Sequence, residues 1–245
     1  MKRALCIGLN YTGSPYELPD CDIDARELAE RAGREYRSAF LRKETYAVRT
    51  FIADINGFQS ITKKTDTTLI TFSGHGTQWA EPINSEKDIT REGLCFWNGK
   101  EIEVLPDDDF RHLLEWIPGT VIVLLDSCYS GGMDKMAGSP RLSGNWQKKF
   151  IPFDDDFKVV RVQPSLSRAV KGANRMYFMF ACGKNEVSWS TGNGGLFTKS
   201  FCGAYDRWRL QRTVKNVVSA AKKECVPDQT PRYEVIGGIA NKKIF

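Results

Sequence analysis

The chain has 245 residues, of which 41% are hydrophobic and 27% charged, with a net charge of +5. This is enough apolar material for one sizeable buried core. No apolar run approaches the ~20 residues of a membrane-spanning helix, and the apolar start is too brief for a signal peptide. We therefore expect a cytoplasmic protein without a membrane partner. The basic residues are scattered between acidic clusters, which argues against a nucleic-acid partner.

Short apolar runs alternate with helical patterns along the chain. The predicted strands are Ala4 to Leu9, Thr67 to Phe72, Thr120 to Leu125, Arg175 to Cys182 and an edge strand over Arg232 to Ile236. The predicted helices are Asp22 to Arg34, Glu44 to Phe58, Asp107 to Trp116, Leu196 to Trp208 and Thr213 to Cys225. This alternation predicts an α/β sandwich with a mostly parallel central sheet flanked by helices.

Residues 131–172 lack periodicity and are rich in Gly, Ser, Pro, Lys and Arg, which is typical of a long loop. We interpret residues 1–245 as one domain. The loop would divide a larger part, residues 1–130, from a smaller part, residues 173–245.

The cysteines argue against a disulfide scaffold and against a zinc site. Their number is odd, their spacings are wide and no C-x-x-C pair occurs. They are Cys6, Cys21, Cys95, Cys128, Cys182, Cys202 and Cys225. Several lie in apolar runs, where a free cysteine packs as a small hydrophobe, and this fits a reducing compartment.

Two segments place a reactive side chain directly after an apolar strand. The first, Ser73-Gly74-His75-Gly76, holds a histidine between two glycines, and the second, Asp126-Ser127-Cys128, is followed by a glycine pair. Both segments therefore lie at the carboxyl ends of their strands. Ligands of open α/β sheets bind at this edge of the sheet, where the loops converge. A turn that happens to contain histidine, and a structural cysteine, are the alternatives when each segment is taken alone.

Together the two segments predict nucleophilic catalysis. A thiol near its ordinary pKa is only a few per cent thiolate at neutral pH, so Cys128 needs a base, and His75 can supply it. The other histidine, His112, lies in a helical pattern. The backbone N–H groups of Gly76 and Cys128 are candidate oxyanion donors.

These segments resemble the active-site motifs of the metacaspases, caspase-like cysteine peptidases. His75 and Cys128 lie 53 residues apart, close to the spacing in caspases. The segments from Leu18 to Ala25, Phe180 to Glu186 and Gly195 to Thr198 also look like this family. The resemblance implies a caspase-like three-layer fold and an endopeptidase that uses a Cys-His dyad.

The resemblance also implies cleavage after Arg or Lys, through an acidic pocket that maps onto Asp24 and Asp126, with Cys21 and Ser73 beside it. Two carboxylates would attract a cationic side chain and repel an acidic one. The alternatives are that Asp24 caps a helix and that Asp126 orders a turn. The implied partner is a protein or peptide with a basic residue before the cleaved bond, and we expect a monomer.

Some metacaspases are activated by Ca²⁺, although the chemistry itself requires no cofactor. Asp107 and Asp108 match their paired aspartates, but the earlier acidic pair appears here as Arg91-Glu92, and an arginine opposes cation binding. Asp88 is a substitute ligand. The alternative is that Asp107 caps the following helix, and the sequence leaves both open.

The basic residues of the 131–172 loop suggest that the enzyme cleaves itself there. They are Lys135, Arg141, Lys148, Lys149, Lys158, Arg161, Arg168 and Lys171. A solvated loop that covers the site is the alternative. For the whole chain, the alternative is a catalytically silent caspase-like domain that binds or regulates a partner.

Overall fold

A computed structural model describes residues 1–81, 89–128, 146–162, 175–183, 186–208, 211–239 and 241–244. The strands in these ranges are β1 (Lys2–Gly8), β2 (Ser38–Lys43), β3 (Thr67–Ser73), β4 (Gly76–Glu81), β5 (Ile89–Trp97), β6 (Ile102–Pro106), β7 (Thr120–Asp126), β8 (Gln147–Lys148), β9 (Lys158–Val159), β10 (Arg175–Phe180), β11 (Trp189–Ser190) and β12 (Arg232–Ile236). The helices are α1 (Cys21–Gly33), α2 (Val48–Ile61), α3 (Asp107–Glu115), α4 (Leu196–Arg207) and α5 (Val214–Cys225).

The central sheet has six strands in the order β12-β10-β7-β3-β1-β2. All neighbours are parallel except β12, which pairs antiparallel with β10 at the edge. The middle strands β3 and β7 are buried along their whole length, as expected for a parallel strand covered on both faces. The predicted fold class is confirmed.

Alternate residues of β7 enter two different cores. Val121, Val123 and Leu125 pack in a cluster with α2 and α3, whereas Ile122 and Leu124 pack in a cluster with α1, α4 and α5. The period-two alternation of a strand thus produces three layers, with helices on both faces of the sheet.

The second predicted helix begins four residues later than expected, at Val48. Glu44 has φ of +67°, a left-handed conformation that a helix cannot contain. A carboxylate from β6 also receives the first amide: the N–H of Val48 donates to Glu103 Oε2 at 2.8 Å. A long-range contact therefore sets this boundary, and the local pattern could not show it.

Strand β2 and the smaller sheet β4-β5-β6-β9 were not predicted from the sequence. In the smaller sheet, β4, β5 and β6 are antiparallel, and β9 joins β6 in parallel. Of the predicted 131–172 loop, residues 146–162 are described, and they contribute β8 and β9. The remainder of the loop lies outside the described residues, and the division into 1–130, 131–172 and 173–245 stays a prediction.

None of the helices in the described part of the chain is both long enough and apolar enough to cross a membrane.

Candidate active site

The two predicted motifs end neighbouring strands of the central sheet. β3 and β7 run parallel, and their last residues, Ser73 and Asp126, stand opposite each other in register. His75 and Cys128 each follow two residues later, so both lie at the carboxyl edge of the sheet. Both are buried, with 3% of His75 and none of Cys128 exposed.

Two tyrosines hold His75 in place. Its backbone N–H donates to the Tyr11 hydroxyl at 2.8 Å, and the two rings lie 4.7 Å apart. Its Nε2 lies 2.9 Å from the backbone carbonyl oxygen of Tyr16. A carbonyl can only accept, so Nε2 carries the proton and Nδ1 is left as a basic nitrogen. Nδ1 is buried and has no hydrogen-bond partner among the described residues.

His75 is held as a neutral imidazole. Burial lowers its pKa to about 4, the Tyr16 carbonyl opposes this shift, and the positive charge of Lys149 adds to it. At neutral pH the ring is therefore unprotonated, which is the form that a general base requires.

The thiol of Cys128 is directed toward the segment before β11. Its Sγ accepts a hydrogen bond from the Ser188 backbone N–H at 2.6 Å and lies 3.5 Å from the Ser188 carbonyl oxygen. A hydrogen bond with Cys128, together with burial, raises the pKa of the Cys182 thiol well above its ordinary value. Among the described residues, no hydrogen bond joins the Cys128 Sγ to the His75 Nδ1.

The two predicted oxyanion donors point at a carbonyl of the chain itself. The backbone N–H groups of Gly76 and Cys128 donate to the carbonyl oxygen of Lys149, at 3.0 and 3.2 Å. A Cβ on residue 76 would lie 1.6 Å from the Cys128 carbonyl oxygen, so only glycine allows this approach. The Lys149 carbonyl thus lies between the two N–H groups that were predicted to stabilise an oxyanion.

The side chain of Lys149 fills the predicted acidic pocket. It is completely buried, and its Nζ lies 2.8 Å from Asp24 Oδ2, 3.3 Å from Asp126 Oδ1 and 2.8 Å from Ser73 Oγ. Cys21, the remaining predicted pocket residue, is also fully buried, and its thiol hydrogen-bonds with Ser73. All four predicted pocket residues therefore surround one lysine.

The two pocket carboxylates have further donors. The Gly195 N–H donates to Asp24 Oδ1 at 2.7 Å. The Thr198 N–H and hydroxyl donate to Asp126 Oδ2 at 3.0 and 2.6 Å, and the Ser188 hydroxyl donates to Oδ1. Fixed donors on every carboxylate oxygen reduce the desolvation penalty of these buried charges.

Charge pairing keeps the pocket ionised at neutral pH. Burial lowers the pKa of Lys149, but the carboxylates of Asp126 and Asp24 raise it well above its usual value. Burial raises the pKa of Asp24 to about 6, and the Lys149 ammonium opposes that shift. The two carboxylates thus hold one buried cation, that of Lys149.

Asp20 anchors the loop that follows β11. Its carboxylate is fully buried and accepts a hydrogen bond from the Ser190 hydroxyl at 2.7 Å. Three backbone N–H groups, those of Thr191, Gly192 and Gly194, donate to its other oxygen at 2.9 to 3.1 Å. This loop continues to Gly195 at the pocket, so Asp20 fixes the backbone of one pocket wall.

Three features of the site were not predicted from the sequence: Lys149 in the pocket, Asp20 as the anchor of the loop after β11, and the Tyr16 carbonyl as the partner of His75. Lys149 was present only as one of several basic loop residues, and nothing local distinguishes it from Lys148. A backbone carbonyl carries no signal in the sequence. Asp20 lies in the segment that the resemblance had singled out, which was the available clue.

The predicted calcium ligands lie in the first turn of α3. Asp108 Oδ2 is 3.0 Å from Nη1 of Arg91 on β5, so a guanidinium already neutralises this carboxylate. Burial, together with the charge of Asp108, raises the pKa of Asp107. In the described ranges, no three His, Cys, Asp or Glu side chains form a group that could hold a metal ion. Asp88 lies outside those ranges.

A known protein family matches nearly the whole chain. Residues 1–238 match the family model of the caspase domain, peptidase family C14. The chain belongs to the caspase-domain family. It is therefore a peptidase-family domain, which confirms the resemblance stated from the sequence.

Among curated proteins, this caspase domain is similar to metacaspases. Metacaspase-7 of Arabidopsis thaliana is 30% identical over 174 residues, which are 64% of this chain and 43% of that protein. Metacaspase-1 of Plasmodium falciparum is 28% identical over 171 residues, which are 62% of this chain and 28% of that protein. The matched region thus spans less than half of either relative.

Two crystal structures share the fold of this caspase domain. A protein from Geobacter sulfurreducens superposes with a TM-score of 0.74 at 22% identity, over 96% of this chain and 92% of that one. Caspase-1 from Spodoptera frugiperda has a TM-score of 0.62 at 10% identity, over 96% and 85% of the two chains. At these identities the likeness shows the fold.

Proposed function

We propose that this caspase domain is a cysteine endopeptidase that cleaves after Lys or Arg and that its first substrate is its own Lys149–Phe150 bond. The observation that carries the proposal is the position of Lys149. Its ammonium contacts Asp24 and Asp126 while its carbonyl accepts from Gly76 and Cys128. One residue thus meets both requirements of a substrate, a side chain in the pocket and a carbonyl between two donors.

The proposed reaction uses groups that are already in place. His75 Nδ1 accepts the thiol proton, and the thiolate of Cys128 attacks the Lys149 carbonyl carbon. The negative charge that develops on oxygen is stabilised by the two N–H donors, each worth about 3 kcal/mol in a comparable protease site. His75 then gives its proton to the Phe150 nitrogen as the C–N bond breaks. Water hydrolyses the thioester and frees Cys128.

One movement must precede attack. The thiol contacts Ser188, so it must leave Ser188 before His75 can accept its proton. The Tyr16 carbonyl keeps the His75 proton on Nε2 throughout, so that Nδ1 remains the base.

The pocket accounts for the proposed specificity. Two carboxylates and one hydroxyl surround the Lys149 ammonium. An arginine can form the same contacts with two carboxylates, whereas an acidic side chain would bring a third negative charge into a buried site. Substrates with Asp at this position are therefore rejected.

A catalytically silent domain is the second candidate. Two observations favour it: Lys149 fills the pocket, and the Cys128 thiol is engaged with Ser188. In that case residues 146–151 would be a permanent plug and the domain would act through its surface.

Incubation of the purified chain separates the two candidates. Wild type, Cys128→Ala, Lys149→Arg, Lys149→Ala and the control Lys158→Ala are followed by intact mass spectrometry. Lys158 belongs to the same segment but is exposed. We expect fragments 1–149 and 150–245 from wild type, Lys149→Arg and Lys158→Ala, and an intact chain from the other two.

Fluorogenic peptides ending in Arg, Lys or Asp then test cleavage of other chains, with and without Ca²⁺. If wild type neither cleaves itself nor cleaves any of these peptides, the endopeptidase proposal fails and the silent domain stands. Preference for Asp would leave a peptidase but would reject the pocket assignment.

A further inference from the structure

The chain on both sides of Lys149 lies along the site as an extended strand. Before it, β8 pairs antiparallel with β11, and the Lys149 N–H donates to the Ser188 carbonyl at 2.9 Å. After it, Phe150 bridges in parallel to Gly76, and the Ile151 N–H donates to the Gly76 carbonyl at 3.1 Å. Any extended peptide can make such backbone contacts, so selectivity must come from side chains.

The residue that comes after the proposed cleavage site occupies an apolar pocket. Phe150 is 8% exposed and packs in one cluster with Cys128, Val187 and Trp189. This cluster is separate from the two cores that hold the sheet and helices together. It lies beside the nucleophile, where the residue after the bond of any substrate must pass.

A second aromatic contact involves a residue three positions further along the same segment. Phe153 stacks on Trp79, with ring centroids 5.3 Å apart and planes at 26°. Trp79 belongs to β4, three residues after the oxyanion donor Gly76, and both aromatic rings are half-buried. The stacking surface is therefore on the strand that begins at the predicted oxyanion donor.

We infer that this site selects its substrates by the side chains on the carboxyl side of the basic residue. It takes a bulky apolar residue directly after the cleaved bond and an aromatic residue three positions later, which Trp79 binds by stacking. The inference rests on the proposed endopeptidase function and adds to its preference for Lys or Arg. The segment Lys149-Phe150-Ile151-Pro152-Phe153 is the model of the preferred substrate class.

The size of each effect is set by the contacts that are lost. Loss of one stacked aromatic pair is expected to lower kcat/KM about 2- to 10-fold. Removal of a whole aromatic side chain from an apolar pocket next to the reacting bond is expected to lower it about 10- to 100-fold.

The test uses quenched peptides that reproduce residues 146–153, with the cleaved bond identified by mass spectrometry. One variant peptide has Gly in place of the first Phe, and another has Ala in place of the second. Wild-type protein that has finished self-cleavage is compared with Trp79→Ala and Trp79→Phe. Trp208→Ala, which alters an exposed tryptophan at the end of α4, is the control.

We expect wild type and Trp208→Ala to cleave the parent peptide faster than either variant peptide. Trp79→Ala should lose the preference at the second Phe and keep the preference at the first, and Trp79→Phe should restore part of it. This selective loss separates a binding role from a structural one, which would slow all peptides equally.

Two outcomes are distinguishable failures. If all peptides are cleaved after Lys at the same rate, or if Trp79→Ala slows them all equally, the inference is overturned while the endopeptidase remains. If no peptide is cleaved by any protein, the proposed function itself has failed.

Discussion

The carbonyl oxygen of Lys149 accepts a hydrogen bond of 3.2 Å from the backbone N–H of Cys128. The backbone amide of Cys128 therefore polarises the carbonyl group that we propose its thiolate attacks. Because the Lys149 side chain is simultaneously locked in the pocket, the segment can shift little along the site without breaking contacts at both ends. This pairing is the reason that we propose Lys149, among the basic residues of the described loop, as the cleavage site.

Gly195→Ala should close the pocket without disturbing the backbone. A Cβ at this position would lie 2.3 Å from both Asp126 Oδ2 and Lys149 Nζ, and φ of residue 195 is −65°, which alanine readily adopts. We expect kcat/KM on Arg and Lys peptides to fall at least about 100-fold, as an obstructed pocket excludes the cation.

The matched control is Gly33→Ala, at the end of α1, where an added Cβ meets no other atom within 4 Å. Peptide assays of both variants check the prediction. Unchanged kinetics for Gly195→Ala would show that the basic residue binds elsewhere.

Asp20→Asn should weaken substrate binding more than chemistry. Asparagine has one acceptor oxygen where Asp20 has two, so at least one of the four donors now satisfied by Asp20 loses its acceptor. An unsatisfied buried donor costs about 1–3 kcal/mol. We expect KM on Arg peptides to rise about tenfold with little change in kcat.

Asp22→Asn is the control, because Asp22 lies two residues later, in the first turn of α1, and pairs with Arg26 and Asn10 away from that loop. Steady-state kinetics measure both constants. A fall in kcat at constant KM would instead place Asp20 in the chemical step.

Self-cleavage should decline in two steps as the pH falls. Asp24 has a pKa raised to about 6, so it gains a proton first, and Lys149 loses one of its two charged partners. His75 has a pKa lowered to about 4 from the ordinary 6.5, so it remains a base until pH 4 and then stops accepting protons. We expect a partial decrease near pH 6 and complete loss near pH 4.

Timed mass spectrometry of the fragments from pH 3.5 to 8 measures this profile. Asp24→Asn should react more slowly and retain only the lower step. A single complete loss centred on 6.5 would mean that His75 titrates as an exposed histidine.

Lys149→Met should destabilise the fold even where no cleavage occurs. The substitution leaves Asp24 and Asp126 buried without their cation, and breaking a buried pair in this way costs about 3–5 kcal/mol. Because Asp24 then loses the charge that opposed its shift, the loss should be smaller below pH 6.

Thermal unfolding in the Cys128→Ala background avoids self-cleavage, with Lys158→Met as the exposed control. Equal stability of the two variants would show that the buried ion pairs contribute little.

Calcium activation, which the resemblance implies, stays a prediction, and the Arg91–Asp108 ion pair leads us to expect a small effect. A guanidinium on this carboxylate both neutralises it and repels a divalent cation. Arg91→Ala should therefore increase any response of peptide cleavage to Ca²⁺, whereas Arg26→Ala, which removes another surface ion pair, should not. Strong activation of wild type by Ca²⁺ would contradict this expectation.

The central sheet was predictable because its strands depend on short-range patterns. The residues of β7 between Thr120 and Asp126 are all apolar, and its neighbour β3 carries the apolar residues Leu69, Ile70 and Phe72. Strands β2, β4, β5 and β6 were missed because their residues alternate less clearly and are stabilised by pairing with distant partners.

The amino-acid pattern was sufficient to place His75 and Cys128 just after apolar strands, because a buried strand is visible in local periodicity. Asp24 and Asp126 were assigned to one pocket through the resemblance to metacaspases. The folded chain was needed to show that Lys149 fills the pocket and that Asp20 anchors one of its walls. Those contacts join residues that lie 125 and about 170 positions apart. Their geometry depends on how the whole sheet and its loops pack, and no local pattern encodes it.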